Sequence, residues 1–446
     1  MISSEYILDR YFRESGHTWI PRSRMPISSD EGAIVSSQRG CYSSATIGLS
    51  EWGLACSLRS LAARTVAPLV CDTAGLSPGQ VRAVKLASER PLCVITGGPG
   101  TGKTTCVRRA VQAELERGGD VIQLAPTALA ARRLAQSTEH HARTAHSWIR
   151  CLESDRAPDH VSMIVIDECS MMGIEIANKV IAAARRYESR VILMGDPWQL
   201  PSIDPGQFLR DTIESRAIPT ATLTEVHRYE SGGPIGEACR AILDGRLPPN
   251  AERGGVGFHL ISTHPGRIAE CTEHAMSRLG ISIYECRTLA ATRHDAISAN
   301  EQIKARFNPR IAESGYFTDG DPIRQCVNDY DLGIVNGDIG IYRDPGLAIF
   351  DGREYVASDC FLRMAYASTC HSAQGCEYPF VCIYVSRRSG TMITREWLNT
   401  AVSRSQRLCL LIADPVHLAQ CLLRRTTPRI TRLREYLTGD DFIPGE

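Results

Sequence analysis

The stretch Ile95-Thr96-Gly97-Gly98-Pro99-Gly100-Thr101-Gly102-Lys103-Thr104-Thr105 constrains this chain more than any other. From Gly97 to Thr104 it fits the P-loop pattern G-x-x-x-x-G-K-[ST]. Its surroundings fit as well. Leu92-Cys93-Val94-Ile95 is a short apolar run of the kind that forms a buried strand, and Thr104 to Glu116 reads as a helix. A glycine-rich turn between strand and helix lets backbone N–H groups close on phosphate oxygens, and the helix N-terminus favours negative charge there. Gly98, Pro99, Gly100, Thr101, Gly102, Lys103, Thr104 and Thr105 are therefore the expected nucleotide-binding residues. Lys103 would reach the β- and γ-phosphates, and the Thr104 hydroxyl would ligate Mg²⁺.

At 446 residues the chain exceeds one ordinary core, so two or more domains are expected. No apolar run approaches the length of a membrane span. Met1 to Arg10 lacks an apolar h-region, so no secretory signal is expected. The 17 cysteines fall singly within apolar segments, which reads as reduced thiols in a cytoplasmic protein. Cys370, His371, Cys376 and Cys382 lack zinc spacing. Formal net charge is zero, so any basic surface for a polyanion must be local. Lysine is scarce: Lys85, Lys103, Lys179 and Lys304 are the only ones in a chain that uses arginine freely.

Residues 1–75 carry no motif. The first forty are rich in Ser, Arg and Pro and are expected to be partly disordered, whereas Ile47 to Arg64 has the apolar spacing of a packed helix. From Leu76 the pattern alternates strand and helix, with strand-like runs at Leu92–Thr96, Val121–Ala125, Met163–Ile166 and Val191–Met194. That is the signature of a parallel sheet flanked by helices. A linker at Ser231-Gly232-Gly233-Pro234 precedes a second alternating region. Within it, short strands divided by Asp344-Pro345-Gly346 and Asp351-Gly352 predict a small β module. The expected division is an N-terminal region over 1–75, a first α/β domain over 76–230, and a second over 231–446 that holds the β module at about 337–362.

Two further segments bear on chemistry. Ile164-Val165-Ile166-Asp167-Glu168 is an apolar strand ending in two carboxylates. Asp167 suits Mg²⁺ coordination beside a P-loop, and Glu168 suits a general base for the attacking water. Met194-Gly195-Asp196-Pro197-Trp198-Gln199-Leu200-Pro201 follows another apolar strand, and Gln199 would sense the γ-phosphate.

Taken in order, these segments resemble the superfamily 1 helicases of the RecD/TraA-like group, which move 5′ to 3′ on single-stranded DNA. Gln80 matches the Q motif that reads adenine. GGPGTGKTT at 97–105 matches motif I, LAPTALAARRL at 124–134 matches motif Ia, and Thr144-Ala145-His146 the short segment after it. DECSMM at 167–172 matches motif II and GDPWQLPSIDPGQFLRD at 195–211 motif III. LTEVHR at 223–228 matches motif IV, with its arginine at Arg228. TLAATR at 288–293, AYASTCHSAQGCE at 365–377 and LNTAVSRSQR at 398–407 match segments of the second domain, the last with Arg404.

The resemblance implies two RecA-like P-loop NTPase domains, an SH3-like β insert in the second, and ATP with Mg²⁺ in a cleft between the domains. It implies catalytic roles for Lys103, Asp167, Glu168, Gln199, Arg228 and Arg404. Single-stranded DNA, or a tailed or forked duplex, would be held by Pro126, Thr127, His146, Thr292, Asn336, Thr369, His371 and Gln374. DNA repair and recombination are the implied settings, with a protein loading partner and no membrane.

The chain also departs from that pattern. Ser372, Ala373 and Cys376 replace a lysine and two serines of motif V, Asn399 stands where motif VI has Tyr, and Tyr229 follows Arg228 where Gln is common. The duplex-splitting pin is expected only as a reduced insert at about 147–162, with Trp148, Ile149 and Leu152 as a stub. A P-loop switch that does not unwind, and a DNA-binding subunit of a larger recombination or transfer complex, stay open as other readings. RNA as the track stays open too.

Overall fold

The computed structural model describes residues 4–24, 33–36, 40–154, 156–225, 233–251, 256–262, 265–309, 316–329 and 331–439. The chain divides into two units: residues 1–228 together with 427–446, and residues 229–426.

The apolar runs of the first unit form a six-stranded parallel sheet. Its order is Ala142–Thr144, Val121–Ala125, Met163–Ile166, Arg190–Gly195, Leu92–Gly97, Thr220–Leu223. Three central strands, Met163–Ile166, Arg190–Gly195 and Leu92–Gly97, are buried along their whole length, as a parallel sheet covered on both faces requires. Alternate residues serve opposite cores. Leu92, Val94, Ile164, Ile166, Val191 and Leu193 enter one core with helices Ala45–Ala62 and Ile174–Arg186. Cys93, Ile95, Met163, Val165, Ile192 and Met194 enter the other with Pro78–Glu89 and Lys103–Glu116.

The N-terminal region belongs to this unit. Leu8, Phe12 and Trp19 are buried in its first core, and so are Leu54, Leu58 and Leu61 of the expected helix. The segment expected as a reduced pin, about 147–162, begins within this unit. It opens as the helix Ala145–Leu152, and Trp148 is only 1% exposed, packed in the same core as Ile149 and Ile164. An apolar face already spent on the core presents no wedge to a duplex.

Residues 427–439 were expected in the second domain but pack on the first. Leu433, Tyr436 and Leu437 enter its first core, and one carboxylate ties the backbone down at Arg432 and Leu433. Glu51, on helix Ala45–Ala62, is fully buried. It accepts from the Trp19 indole at 2.6 Å, the Thr18 hydroxyl at 3.0 Å, and the backbone N–H groups of Arg432 at 3.1 Å and Leu433 at 3.2 Å. Nearby, the Ile430 N–H donates to Nδ1 of His17 at 2.9 Å, and Arg429 donates to the Ser202 hydroxyl at 3.0 Å. Truncating Glu51→Ala strands a buried indole and two backbone donors, so unit 1 is expected to lose about 3 kcal/mol in denaturant unfolding.

Burial pushes the Glu51 carboxyl up to about 7, against the donors that favour its charge. Burial and the Glu51 charge push Asp211 up to about 8. Both pKa values are raised on folding, so the folded state holds more protons than the unfolded one. Stability from this pair is full below their unfolded values of 4.5 and 3.8 and is lost progressively as pH rises from there to about 7 to 8. Melting temperature is expected to fall across that window, and Glu51→Ala to flatten the lower part of the fall.

The second unit has a five-stranded parallel sheet, ordered Gly257–Ile261, Ser405–Ile412, Tyr378–Tyr384, Cys286–Ala290, Ala367–Thr369. The β module is larger than 337–362. Its antiparallel sheet runs Arg353–Val356, Leu347–Phe350, Ile339–Arg343, Pro322–Gln325, Leu362–Met364. Ile323, Ile334, Ala348 and Phe350 form its core. Asp321 joins the module to helix Arg293–Phe307 by pairing with Lys304 and accepting from Asn308 and, beyond the helix, Tyr366.

Candidate active site

In unit 1 the candidate groups lie at the carboxyl ends of neighbouring strands. The turn after Leu92–Gly97 reaches helix Lys103–Glu116 through Gly100 at φ 75° and Gly102 at φ 82°. Gly102 is the helix N-cap and brings no side-chain cap, so the first-turn amides are left to a ligand. A Cβ on Gly97 would lie 2.6 Å from the Leu223 carbonyl oxygen, whereas one on Gly98 would meet nothing within 4 Å. Space therefore opens above Gly98 and closes beneath Gly97. The Thr101 hydroxyl donates to the Gly98 carbonyl at 2.9 Å, and Lys103 Nζ donates to the Gly97 and Gly98 carbonyls at 2.6 and 3.0 Å. Thr104 is half-buried and Thr105 exposed.

Gly102→Ala is expected to lose nucleotide binding by at least tenfold in a titration with a fluorescent ATP analogue. A left-handed φ costs an L-residue roughly 1–2 kcal/mol, and the new methyl would also lie 2.2 Å from Nε2 of Gln80.

Asp167 and Glu168 follow strand Met163–Ile166, and Asp196 follows the adjacent strand Arg190–Gly195. Asp167 Oδ1 accepts from the Glu168 N–H at 2.8 Å. The residue is half-buried, and its carboxyl pKa is shifted. Burial, then the Glu168 charge, push it up to about 6, while Lys103 pulls it down. Glu168 sits at φ 49°, ψ 42°, a left-handed conformation that a non-glycine residue holds only under local constraint.

Asp196 was quoted within its motif and given no role, yet it is central here. It is buried, and its carboxyl is raised by burial and lowered by Lys103. It accepts from the Trp198 N–H at 3.0 Å, and Gln199 Nε2 lies 3.5 Å from its other oxygen. The signal was an acid at the end of a strand beside the Asp167 strand. Like charges buried together, opposed among the described residues by Lys103, call for a further cation. This donor set fits the Mg²⁺ complex of a nucleoside triphosphate, with Thr104 and Asp167 as metal ligands and the glycine turn for the phosphates. The metal, when bound, would neutralise phosphate charge.

In unit 2, Arg404 lies between helix Arg395–Val402 and strand Ser405–Ile412. It is 3% exposed. Its guanidinium donates to the Thr400 carbonyl at 3.0 Å, the Ser403 hydroxyl at 3.2 Å and the Cys376 carbonyl at 3.4 Å. All three acceptors are neutral. Arg228 lies outside the described residues.

The expected nucleic-acid residues fall into two groups, one in each unit. Thr127 N-caps helix Ala128–Thr138 directly after strand Val121–Ala125, and Thr292 N-caps Arg293–Phe307 directly after Cys286–Ala290. Each hydroxyl accepts from the N–H three residues on, at 3.2 and 3.0 Å. Pro126 and exposed His146 leave the same sheet edge as Thr127, because Ala125 pairs with Thr144. Thr369 leaves its strand beside Ala290. Its hydroxyl bonds Ser372 at 2.9 Å, His371 and Gln374 share that turn, and burial lowers the His371 pKa, so the ring is neutral near pH 7. Asn336 stands apart on the β module, exposed and accepting from Arg324 at 3.0 Å.

Strand order and glycine cradle together make unit 1 a RecA-like P-loop NTPase domain, and unit 2 repeats the parallel α/β plan. A family model described as an AAA domain matches residues 75–258, and one described as a UvrD-like helicase C-terminal domain matches 364–412. The chain is 32% identical over 352 residues to the ATP-dependent RecD2 DNA helicase of Deinococcus radiodurans, covering 74% of this chain and 48% of that protein. It is 28% identical to the RecBCD enzyme subunit RecD of Mycolicibacterium smegmatis, covering 80% of this chain and 74% of that one. The fold is shared with the Pif1 helicase of Candida albicans at a TM-score of 0.51 and 17% identity, over 77% of this chain and 95% of that one.

This chain belongs to the RecD-like superfamily 1 helicases, a family of ATP-hydrolysing enzymes. It spans about half the length of the Deinococcus relative.

Proposed function

We propose that the chain is an ATP-dependent, Mg²⁺-requiring 5′–3′ translocase on single-stranded DNA. The observation that carries this is the pairing of one nucleotide cradle with two matched threonine-capped helices, one in each unit. Helix N-termini are natural phosphate seats, and two of them on separate bodies give a motor two alternating grips on a strand. Lys103 and Thr104 hold the triphosphate and its metal with Asp167. Glu168 orients the attacking water, Gln199 reports the γ-phosphate through Asp196, and Arg404 and Arg228 supply cations to the transition state. His146, Asn336, Thr369, His371 and Gln374 add contacts along the track. Among the described residues no helix is long and apolar enough to cross a membrane.

Strand separation by the isolated chain is expected to be poor, because the pin segment is a packed helix and Ser372 bonds Thr369 where the family has a lysine. That favours, as a second reading, a motor working with a protein partner in recombination or repair, like the RecD subunits it resembles. ATPase activity should rise with single-stranded DNA. Unwinding, where seen, should favour 5′-tailed over 3′-tailed duplexes. ATPase indifferent to DNA would point to a switch, and fast unwinding of long forks without a partner would defeat the expectation of poor separation.

A further inference from the structure

Only Leu200 and Pro201 separate Gln199 from Ser202. Proline fixes its own φ and restricts the residue before it, so that dipeptide is stiff. What holds Ser202 therefore also holds Gln199. Ser202 opens a turn, residues 202–206, that is anchored from several directions. Its hydroxyl donates to the Asp204 carbonyl at 2.7 Å. The Pro205 carbonyl accepts at 2.9 Å from the N–H of Ile174, where the helix after the Asp167 segment begins. The Gly206 N–H donates to the Gly16 carbonyl at 2.9 Å.

The carbonyls of Ser202, Asp204 and Gly206 converge on one guanidinium, that of Arg429. It also donates to the Ser202 hydroxyl at 3.0 Å. A Cβ on Gly16 would lie 2.4 Å from Arg429 Cζ, so the fork is packed against the N-terminal segment as well. Arg429 lies beyond both matched family models, just after the chain returns to unit 1 at Thr427. Backbone carbonyls drawn together by a turn need a donor, and a planar fork serves several at once. We propose that Arg429 is a positioning residue for the γ-phosphate sensor. It fixes the turn 202–206 and, through Leu200-Pro201, the placing of Gln199 beside Asp196. This rests on the reading of Gln199 given above.

A positioning residue and a mere staple of the C-terminal segment differ in what they do to nucleotides with and without a γ-phosphate. The test is calorimetric binding of AMP-PNP and of ADP, each with Mg²⁺, to the full chain and four variants: Arg429→Gln, Arg429→Lys, Gln199→Ala, and Gln199→Ala with Arg429→Gln. Arg429→Gln should leave ADP affinity within about twofold and lower the preference for AMP-PNP over ADP roughly tenfold, as loss of one contact would. Arg429→Lys keeps the charge but not the fork and should lose part of that preference. Gln199→Ala should lose it too, and adding Arg429→Gln should then change nothing further, because the two act through one contact. Equal weakening of both ligands, an unchanged preference, or additive losses in the double variant overturns the proposal. If Arg429→Gln does not fold, Arg429→Lys decides alone. A wild-type chain without the preference, or a Gln199→Ala chain that keeps it, defeats the reading of Gln199 itself, and this proposal with it.

Discussion

Lys103→Ala is expected to cut DNA-stimulated ATP turnover by a factor on the order of 10²–10³ and to weaken ATP binding as well. Two effects point the same way. The variant loses a cation that opposes the Asp167 and Asp196 charges, so these carboxylates repel the incoming phosphates more strongly. It also loses the bonds from Nζ to the Gly97 and Gly98 carbonyls, which hold the turn. Steady-state ATPase assays with saturating single-stranded DNA, together with titration of a fluorescent ATP analogue, measure both. Turnover equal to wild type would remove the P-loop from the chemistry.

Arg404→Ala should leave a different signature. An arginine that stabilises charge on a transferring phosphoryl group contributes on the order of 10³–10⁵ in turnover. The nucleotide cradle belongs wholly to unit 1, so binding should change little. Arg404 now donates to two carbonyls and a hydroxyl, acceptors that release a guanidinium more readily than a carboxylate would. Arg404→Lys keeps the charge but not the planar fork, and should recover only part of the rate. If Arg404→Ala lost binding and turnover in equal measure, its role would be structural within unit 2.

Much of this was legible in the sequence, for local reasons. The buried strands announce themselves as apolar runs, and the P-loop chemistry lies within eleven consecutive residues. The acidic pair after Ile166 follows from position alone. What was missed depends on neighbours far along the chain. Asp196 becomes important only once strands Met163–Ile166 and Arg190–Gly195 are seen to pair. The β module was begun too late because Pro322–Gln325 is separated from Ile339–Arg343 by a loop without strand signals. Trp148, expected in a pin stub, lies buried in helix Ala145–Leu152, and the helical apolar stripe there was the available clue. No sequence signal brings Arg432 to Glu51, 381 positions away.

That distant bond bears on how the protein assembles during synthesis. Residues 229–426 form one continuous stretch and have every contact of their unit in hand once translated. Residues 1–228 do not, because Glu51 waits for donors that emerge only after the whole of the other unit has been made. Until then Glu51 has the Trp19 indole and the Thr18 hydroxyl as donors but lacks the Arg432 and Leu433 N–H groups. Loop closure over so long a span is also entropically slow. The unit translated first is thus the one that takes its remaining contacts from residues translated after the other unit.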